Sequence, residues 1–127
     1  MIKIFFLVAA GGALGASLRF VCSQFFKNYI FPSNIFIATL FVNVVGSFLI
    51  GYIISLAQNN NYSDYLIKYF IIIGVLGSFT TFSTFSMEAL EMLTNGKVLV
   101  AFIYIIISII LCLSFTYIGL NISKMLS

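Results

Sequence analysis

Four long apolar runs dominate this sequence and restrict what it can fold into. They cover about residues 4–26, 33–57, 65–93 and 98–122. Each reaches the ~20 apolar residues that a helix needs to cross a hydrocarbon core ~30 Å thick. Because backbone polar groups in lipid must be satisfied within the segment, such runs predict helices that span a membrane. We therefore predict an all-α integral membrane protein, with four transmembrane helices in a single membrane domain, 1–127.

The low charge of the chain argues against most functions in water. Only 7% of the 127 residues are charged and 62% are hydrophobic, whereas a soluble domain carries about a quarter charged residues. The chain has no histidine and three acidic residues, so acid–base catalysis has few candidate groups. The net charge of +3 is too small for a nucleic-acid surface. We expect neither an enzyme nor a nucleic-acid-binding protein.

The two cysteines, Cys22 and Cys112, are far apart in the chain, and each lies inside an apolar run. Neither belongs to a closely spaced pair of the kind that binds a metal ion. This placement predicts buried, unreactive thiols rather than a disulfide or a metal site.

The distribution of lysines leaves the orientation of the helices undecided. The loops after the first and third runs carry Lys27 and Lys97, and the opposite side carries Lys3, Lys68 and Lys124. An asymmetry of lysine and arginine between the two sides normally fixes orientation, and here it is nearly absent. Either another feature sets the orientation, or copies insert both ways up, which is dual topology.

Small and polar residues share one face in each of the first two helices. In the first, Gly11, Gly15 and Arg19 recur every four residues, and the glycines predict close helix packing. Arg19 is either an interfacial anchor or a fixed positive charge that attracts anions to a vestibule. In the second, Thr39 and Asn43 share a face. Asn43 either joins two helices or donates hydrogen bonds along an ion pathway.

The third run contains the most informative stretch of the chain, the sequence GVLGSFTTFSTFS at residues 74–86. Glycines followed by clustered serine and threonine weaken a helix, because they loosen the backbone and offer competing hydrogen bonds. We predict that the third helix is broken at mid-membrane, with free carbonyl groups between Gly77 and Thr80. Such breaks occur where protein or water surrounds them, and they bind ions.

Aromatic rings alternate with hydroxyl groups just after this predicted break. Phe82 and Phe85 are interleaved with Ser83 and Thr84. A ring edge carries partial positive charge and hydroxyl donors can replace an anion's water, whereas a cation pathway uses carboxylates or carbonyls. A phenylalanine alone would be expected to face lipid, but the interleaved hydroxyls favour an anion pathway. We expect Glu88, one turn beyond Thr84, to reach towards the membrane interface.

The fourth helix is the plainest of the four. Tyr104, Ser108 and Cys112 recur every four residues, so they share one face of the helix. We expect the side chains of Tyr104 and Ser108 to point inward.

Four stretches of this sequence resemble the small fluoride channels of bacteria, the CrcB or Fluc family. They are GGALGA at 11–16 leading to Arg19, TLFVN at 39–43 followed by GS at 46–47, the stretch 74–86, and the region of Tyr104. The resemblance covers nearly the whole chain, and TTFSTFS at 80–86 is its most specific element.

The resemblance implies an antiparallel, dual-topology homodimer in the inner membrane, with two pores between its subunits. It also implies a fluoride pathway. Thr39 and Ser108 are added because they share a helix face with pathway residues. The predicted pathway residues are Asn43, Phe82, Ser83, Thr84, Phe85, Tyr104, Ser108 and Thr39. Arg19 and Glu88 are the predicted vestibule charges. The carbonyls of Gly77 and Thr80 match positions that hold a structural sodium ion, and Ser78 stands where many members have glycine.

The implied function is passive export of fluoride, which protects the cell against fluoride toxicity. Fluoride enters acidified cells as HF and dissociates inside, and an inside-negative potential drives the anion out with ~2.3 kcal/mol per 100 mV. Two alternatives remain. The first is a small multidrug-type antiporter, which needs a carboxylate in the first span, whereas this span has Arg19 and no acidic residue. The second is a non-transporting assembly subunit. Ion flux through purified protein in liposomes distinguishes the three.

Overall fold

The computed structural model describes residues 1–32, 34, 36–59 and 65–126. Five helices follow one another in this part of the chain: α1 at Ile2–Phe25, α2 at Phe36–Asn59, α3 at Leu66–Leu76 continued by the turn Gly77–Phe79, α4 at Phe82–Thr94, and α5 at Val98–Leu126. The predicted start of the second apolar run, residue 33, lies outside the described residues. Together, α3 and α4 cover the third predicted apolar run.

Four helical stretches are long and apolar enough to cross a membrane: Ile2–Ile30, Phe36–Gln58, Leu66–Thr94 and Val98–Ile122. The prediction of four transmembrane helices in an all-α protein is therefore confirmed. The first stretch is longer than predicted, because a π-helical turn at Phe26–Ile30 continues it beyond Lys27. A lysine near a helix end can extend its amine to the interface while its alkyl stem stays in lipid.

The helices associate in two close pairs that are not neighbours in sequence. α2 lies along α5, and α1 lies along α3. Where α2 meets α5, a Cβ atom on Gly51 would overlap the carbonyl oxygen of Thr116, and one on Gly119 would overlap that of Phe48. Small residues let helix backbones approach closely in a membrane, so these two glycines set the distance between α2 and α5.

The predicted packing role of Gly11 and Gly15 is confirmed at the contact between α1 and α3. Both glycines are buried. A Cβ atom on Gly11 would lie 3.0 Å from the Cα of Gly74, and one on Gly15 would lie 2.9 Å from the carbonyl carbon of Val75. Neither helix has room for a methyl group at these positions, so α1 holds α3 in a fixed register.

Between α3 and α4 the backbone is extended over two residues, Thr80 and Thr81, which we call the interruption. Their φ and ψ angles are −77° and 157° at Thr80 and −150° and 114° at Thr81. α4 then begins at Phe82, and the Oγ1 of Thr81 accepts the N–H of Thr84 at 3.2 Å. A threonine in this place supplies the N-cap of the new helix.

Candidate functional site

The carboxamide of Asn43, on α2, completes the hydrogen bonding of the interruption. Its Oδ1 accepts the Thr81 N–H at 2.7 Å, and its Nδ2 donates to the Thr81 carbonyl at 3.0 Å. An extended residue inside a membrane has no helical partner for these groups, and leaving them unpaired is costly. Asn43 therefore joins two helices, which was one of its two predicted roles. Its amide nitrogen carries a second hydrogen, which can serve another acceptor.

Arg19 reaches the same interruption from α1. Its Nη1 donates to the Thr80 carbonyl at 3.3 Å. The half-buried side chain borders a cavity of about 280 Å³, here called the Arg19 cavity, which Thr39, Thr81 and Thr84 also line. The charge is thus anchored to the backbone of the interruption and also lies at the wall of a polar cavity.

A second space, here called the Phe82 groove, brings together four of the eight predicted pathway residues, Asn43, Phe82, Phe85 and Ser108. It has a volume of about 340 Å³, and among the residues that line it are Asn43, Thr81, Phe82, Phe85, Ser108 and Cys112. The ring of Phe82 is 78% exposed, whereas that of Phe85 is 9% exposed. The two ring centroids are 5.5 Å apart, and two aromatic rings, a carboxamide and hydroxyl groups line one groove.

The hydroxyl groups at the start of α4 form a cluster around Thr81. Its Oγ1 lies 3.2 Å from the Ser83 hydroxyl oxygen and donates to that of Thr84 at 3.0 Å. Ser83 and Thr84 are exposed, while Thr81 is buried. The predicted set omits Thr81, although a threonine just before a new helix is a recognisable N-cap signal. Thr81 lines both the Phe82 groove and the Arg19 cavity, so it connects the two spaces.

Glu88 accepts hydrogen bonds from the hydroxyl groups of Thr39 and Tyr104, the two remaining predicted pathway residues. Thr39 donates to its Oε1 at 2.7 Å, and Tyr104 donates to its Oε2 at 2.7 Å. The expectation that Glu88 simply reaches the interface is incomplete, since its half-buried carboxylate joins α2, α4 and α5. Each of these hydroxyl groups has one proton, and both protons are directed at Glu88. In this arrangement neither Thr39 nor Tyr104 can donate to an anion.

The outer side of Glu88 borders a wider cavity of about 630 Å³, which Glu91, Asn95 and Lys97 also line. These three residues are exposed and lie at the end of α4 and in the loop that follows it. The polar groups thus form a series from the interruption through Thr39 to Glu88 and on to one end of the bundle.

Gly77 and Thr80, the predicted sodium-binding residues, both line the Phe82 groove. Gly77 is exposed, and the Thr80 carbonyl keeps a second lone pair beside its bond to Arg19. Neutral carbonyl oxygens suit a monovalent cation better than a divalent one, which prefers charged oxygen ligands. The chemistry of these two residues fits a sodium ion, but two carbonyls from one chain do not complete its coordination.

Comparison with known proteins identifies the family of this chain. The chain matches the family model described as CrcB-like protein, Camphor Resistance (CrcB), over residues 6–120. The chain belongs to the CrcB family. The resemblance noted in the sequence is confirmed, and this CrcB-family chain, with its four spans, is a multi-pass protein of the inner membrane.

Several relatives of this CrcB-family chain carry the name fluoride-specific ion channel FluC. The one from Campylobacter jejuni is 44% identical over 98% of this chain and 100% of the relative. Those from Campylobacter hominis and Flavobacterium psychrophilum are 39% and 37% identical, over 94% and 96% of this chain and 94% and 98% of the relatives. The alignments therefore cover nearly the full length of each protein.

Proposed function

We propose that this chain is a fluoride channel, which exports fluoride passively across the inner membrane and so protects the cell against fluoride toxicity. The names of its relatives support this function over a multidrug antiporter or a non-transporting subunit. The observation that carries the proposal is the Phe82 groove, in which Asn43, Phe82, Phe85 and Ser108 meet beside an extended segment of backbone.

The chemistry of the groove suits a small anion better than a cation. Ring edges are electropositive, and the Ser108 hydroxyl in the groove can donate a hydrogen bond in place of water. The hydroxyl groups of Ser83 and Thr84, which contact Thr81 beside the groove, can do the same. The guanidinium of Arg19 adds a fixed positive charge near the interruption. Thr39 and Tyr104 contribute to the pathway only after leaving Glu88, because their protons are otherwise engaged there.

A second copy of the chain completes the pathway in this proposal. Phe82, Ser83 and Thr84 are exposed, yet they lie in the middle of the span Leu66–Thr94. Polar groups at this depth face protein or water rather than lipid, and a second copy can cover them. The balanced lysines favour an antiparallel homodimer, and the two equivalent grooves then form two pores.

Dual topology is tested with a single-cysteine reporter at Asn34, which follows the first spanning stretch Ile2–Ile30, in a variant without the native cysteines. An impermeant reagent should label the reporter from both sides of the membrane in intact cells and in inverted vesicles. Labelling from one side alone would exclude dual topology and therefore the antiparallel dimer.

A structural sodium ion at Gly77 and Thr80 is part of the same proposal. When bound, the ion would join backbone carbonyls of the two copies and offset their mutual repulsion. We expect the purified protein to melt at a higher temperature in sodium chloride than in N-methylglucamine chloride of equal ionic strength. Identical melting in the two salts would argue against the ion.

The function is tested by substituting the two rings of the groove. Phe82→Ile and Phe85→Ile keep apolar bulk but remove the electropositive edges, so we expect each to reduce fluoride efflux from liposomes at least tenfold, about 1.4 kcal/mol of barrier. Phe102→Ile is the matched control, since Phe102 on α5 is 54% exposed and borders none of the three cavities. Normal efflux through well-folded dimers of both groove variants would refute the aromatic pathway.

A further inference from the structure

The face of α5 that borders the Phe82 groove carries Cys112. This residue follows Ser108 by one helical turn, and both line the groove. Cys22 and Cys112 are free thiols, as predicted, but both are half-buried rather than buried. Only one of them, Cys112, borders any of the three cavities described above.

A second observation indicates that the groove holds a polar ligand next to this thiol. Ser108 is 5% exposed, and its Oγ has no hydrogen-bond partner among the residues that the structure describes. A buried hydroxyl without a partner is unfavourable, and such groups usually bond to water or to a ligand. Water or an anion in the groove would satisfy Ser108, and it would also reach the sulfur one turn away.

We infer that Cys112 is a site of covalent thiol modification within the conducting groove. Its ligands are small thiol-directed reagents, such as methanethiosulfonates and other activated disulfides. Thiols react as thiolates, and reactive thiols are partly exposed; Cys112 is half-buried at the wall of the groove. A group attached to the sulfur of Cys112 would occupy the space between this residue and Phe82, through which we propose that fluoride passes.

The modification step with a methanethiosulfonate is a thiolate attack on the S–S bond of a thiosulfonate. Cys112 loses its proton to water, and the thiolate sulfur attacks the reagent sulfur that carries the organic group. A new S–S bond forms, the S–S bond of the reagent breaks, and methanesulfinate leaves with the electron pair. The cysteine sulfur is oxidised and the sulfonyl sulfur is reduced. Dithiothreitol reverses the modification by reducing the new disulfide.

The two cysteines allow a matched experiment with C22S, which keeps only Cys112, and C112S, which keeps only Cys22. Each purified protein is treated in detergent with methyl methanethiosulfonate or with its negatively charged sulfonatoethyl analogue. The intact mass reports labelling, and a fluoride electrode reports efflux after reconstitution in liposomes. If C22S or C112S folds poorly, the corresponding alanine variant replaces it.

We expect both reagents to label Cys112 in C22S. The charged reagent should lower fluoride efflux roughly tenfold or more, since it adds a negative charge beside the path of an anion. Dithiothreitol should restore the flux. C112S should keep its own starting flux after the same treatment.

Two results would overturn the inference. In the first, C22S resists both reagents while folded, although the denatured protein is fully labelled. In the second, Cys112 is labelled and the flux does not change. The effect on flux rests on the proposed function, whereas the labelling does not. If neither the unsubstituted protein nor untreated C22S passed fluoride, the proposed function would fail, and the mass measurement would still decide whether the groove admits reagents to Cys112.

Discussion

Asn43→Asp tests whether the carboxamide of Asn43 serves a passing anion as well as the interruption. The variant keeps the shape of the side chain and an acceptor for the Thr81 N–H at 2.7 Å. It replaces the nitrogen that donates to the Thr81 carbonyl at 3.0 Å, and it thereby loses one hydrogen bond worth about 0.5–1.5 kcal/mol. It also adds a negative charge to the wall of the Phe82 groove.

The added charge is the larger effect. Two unit charges about 5 Å apart, at an effective dielectric constant of about 20, repel each other by about 3 kcal/mol. A barrier higher by that amount slows passage by roughly two orders of magnitude. We expect fluoride efflux from liposomes at neutral pH, normalised to folded dimer, to fall by about this factor in Asn43→Asp.

Asn43→Ala separates the charge from the hydrogen bonds. It leaves both backbone groups of Thr81 without their partner but introduces no charge, so its flux per folded dimer should exceed that of Asn43→Asp. Equal losses in the two variants would attribute the defect to the interruption rather than to repulsion. Unchanged efflux through folded Asn43→Asp would refute the electrostatic reasoning.

Two further predictions concern residues whose contacts the structure defines. Tyr104→Phe should change fluoride flux per folded dimer by less than about threefold, under 1 kcal/mol of barrier, because the tyrosine hydroxyl already donates its proton to Glu88. A loss above tenfold in the liposome assay would show that this hydroxyl contacts the ion. Gly15→Ala should destabilise the protein by about 1–3 kcal/mol, measured by denaturant unfolding in mixed micelles, because its methyl group would overlap the Val75 carbonyl. The same change at Gly12, where the nearest atom would be a side-chain oxygen at 3.3 Å, should be nearly neutral, and equal effects at the two positions would contradict the packing argument.

The number of spans and the packing faces could be predicted from the sequence because both depend on local pattern. Apolar length alone identifies the spans, and the four-residue spacing of Gly11 and Gly15 identifies the contact face of α1. A local signal of the same kind, glycine beside clustered hydroxyl groups, predicts a break between Gly77 and Thr80. In the structure Gly77 is helical, and the extended residues are Thr80 and Thr81.

The partners of the polar side chains could not be predicted in this way. Arg19 meets a carbonyl 61 residues further along the chain, and Thr39 meets Glu88 49 residues away. Such contacts depend on how each helix is rotated about its axis. A helix that is apolar all round, such as α5, gives little sign of that rotation. The role of Glu88 as a shared acceptor was missed for this reason.

The pairing of α1 with α3 and of α2 with α5 has a consequence for biogenesis. Because α1 and α2 touch each other only sparsely, the first two spans leave the translocon with most of their close-packing surfaces unmatched. The glycines of α1 meet their partner only when α3 enters the bilayer, and Gly51 on α2 meets Thr116 only when α5 follows. A nascent chain stalled before α5 would therefore expose glycine-lined grooves to lipid, and it would be a natural substrate for membrane chaperones and intramembrane quality control.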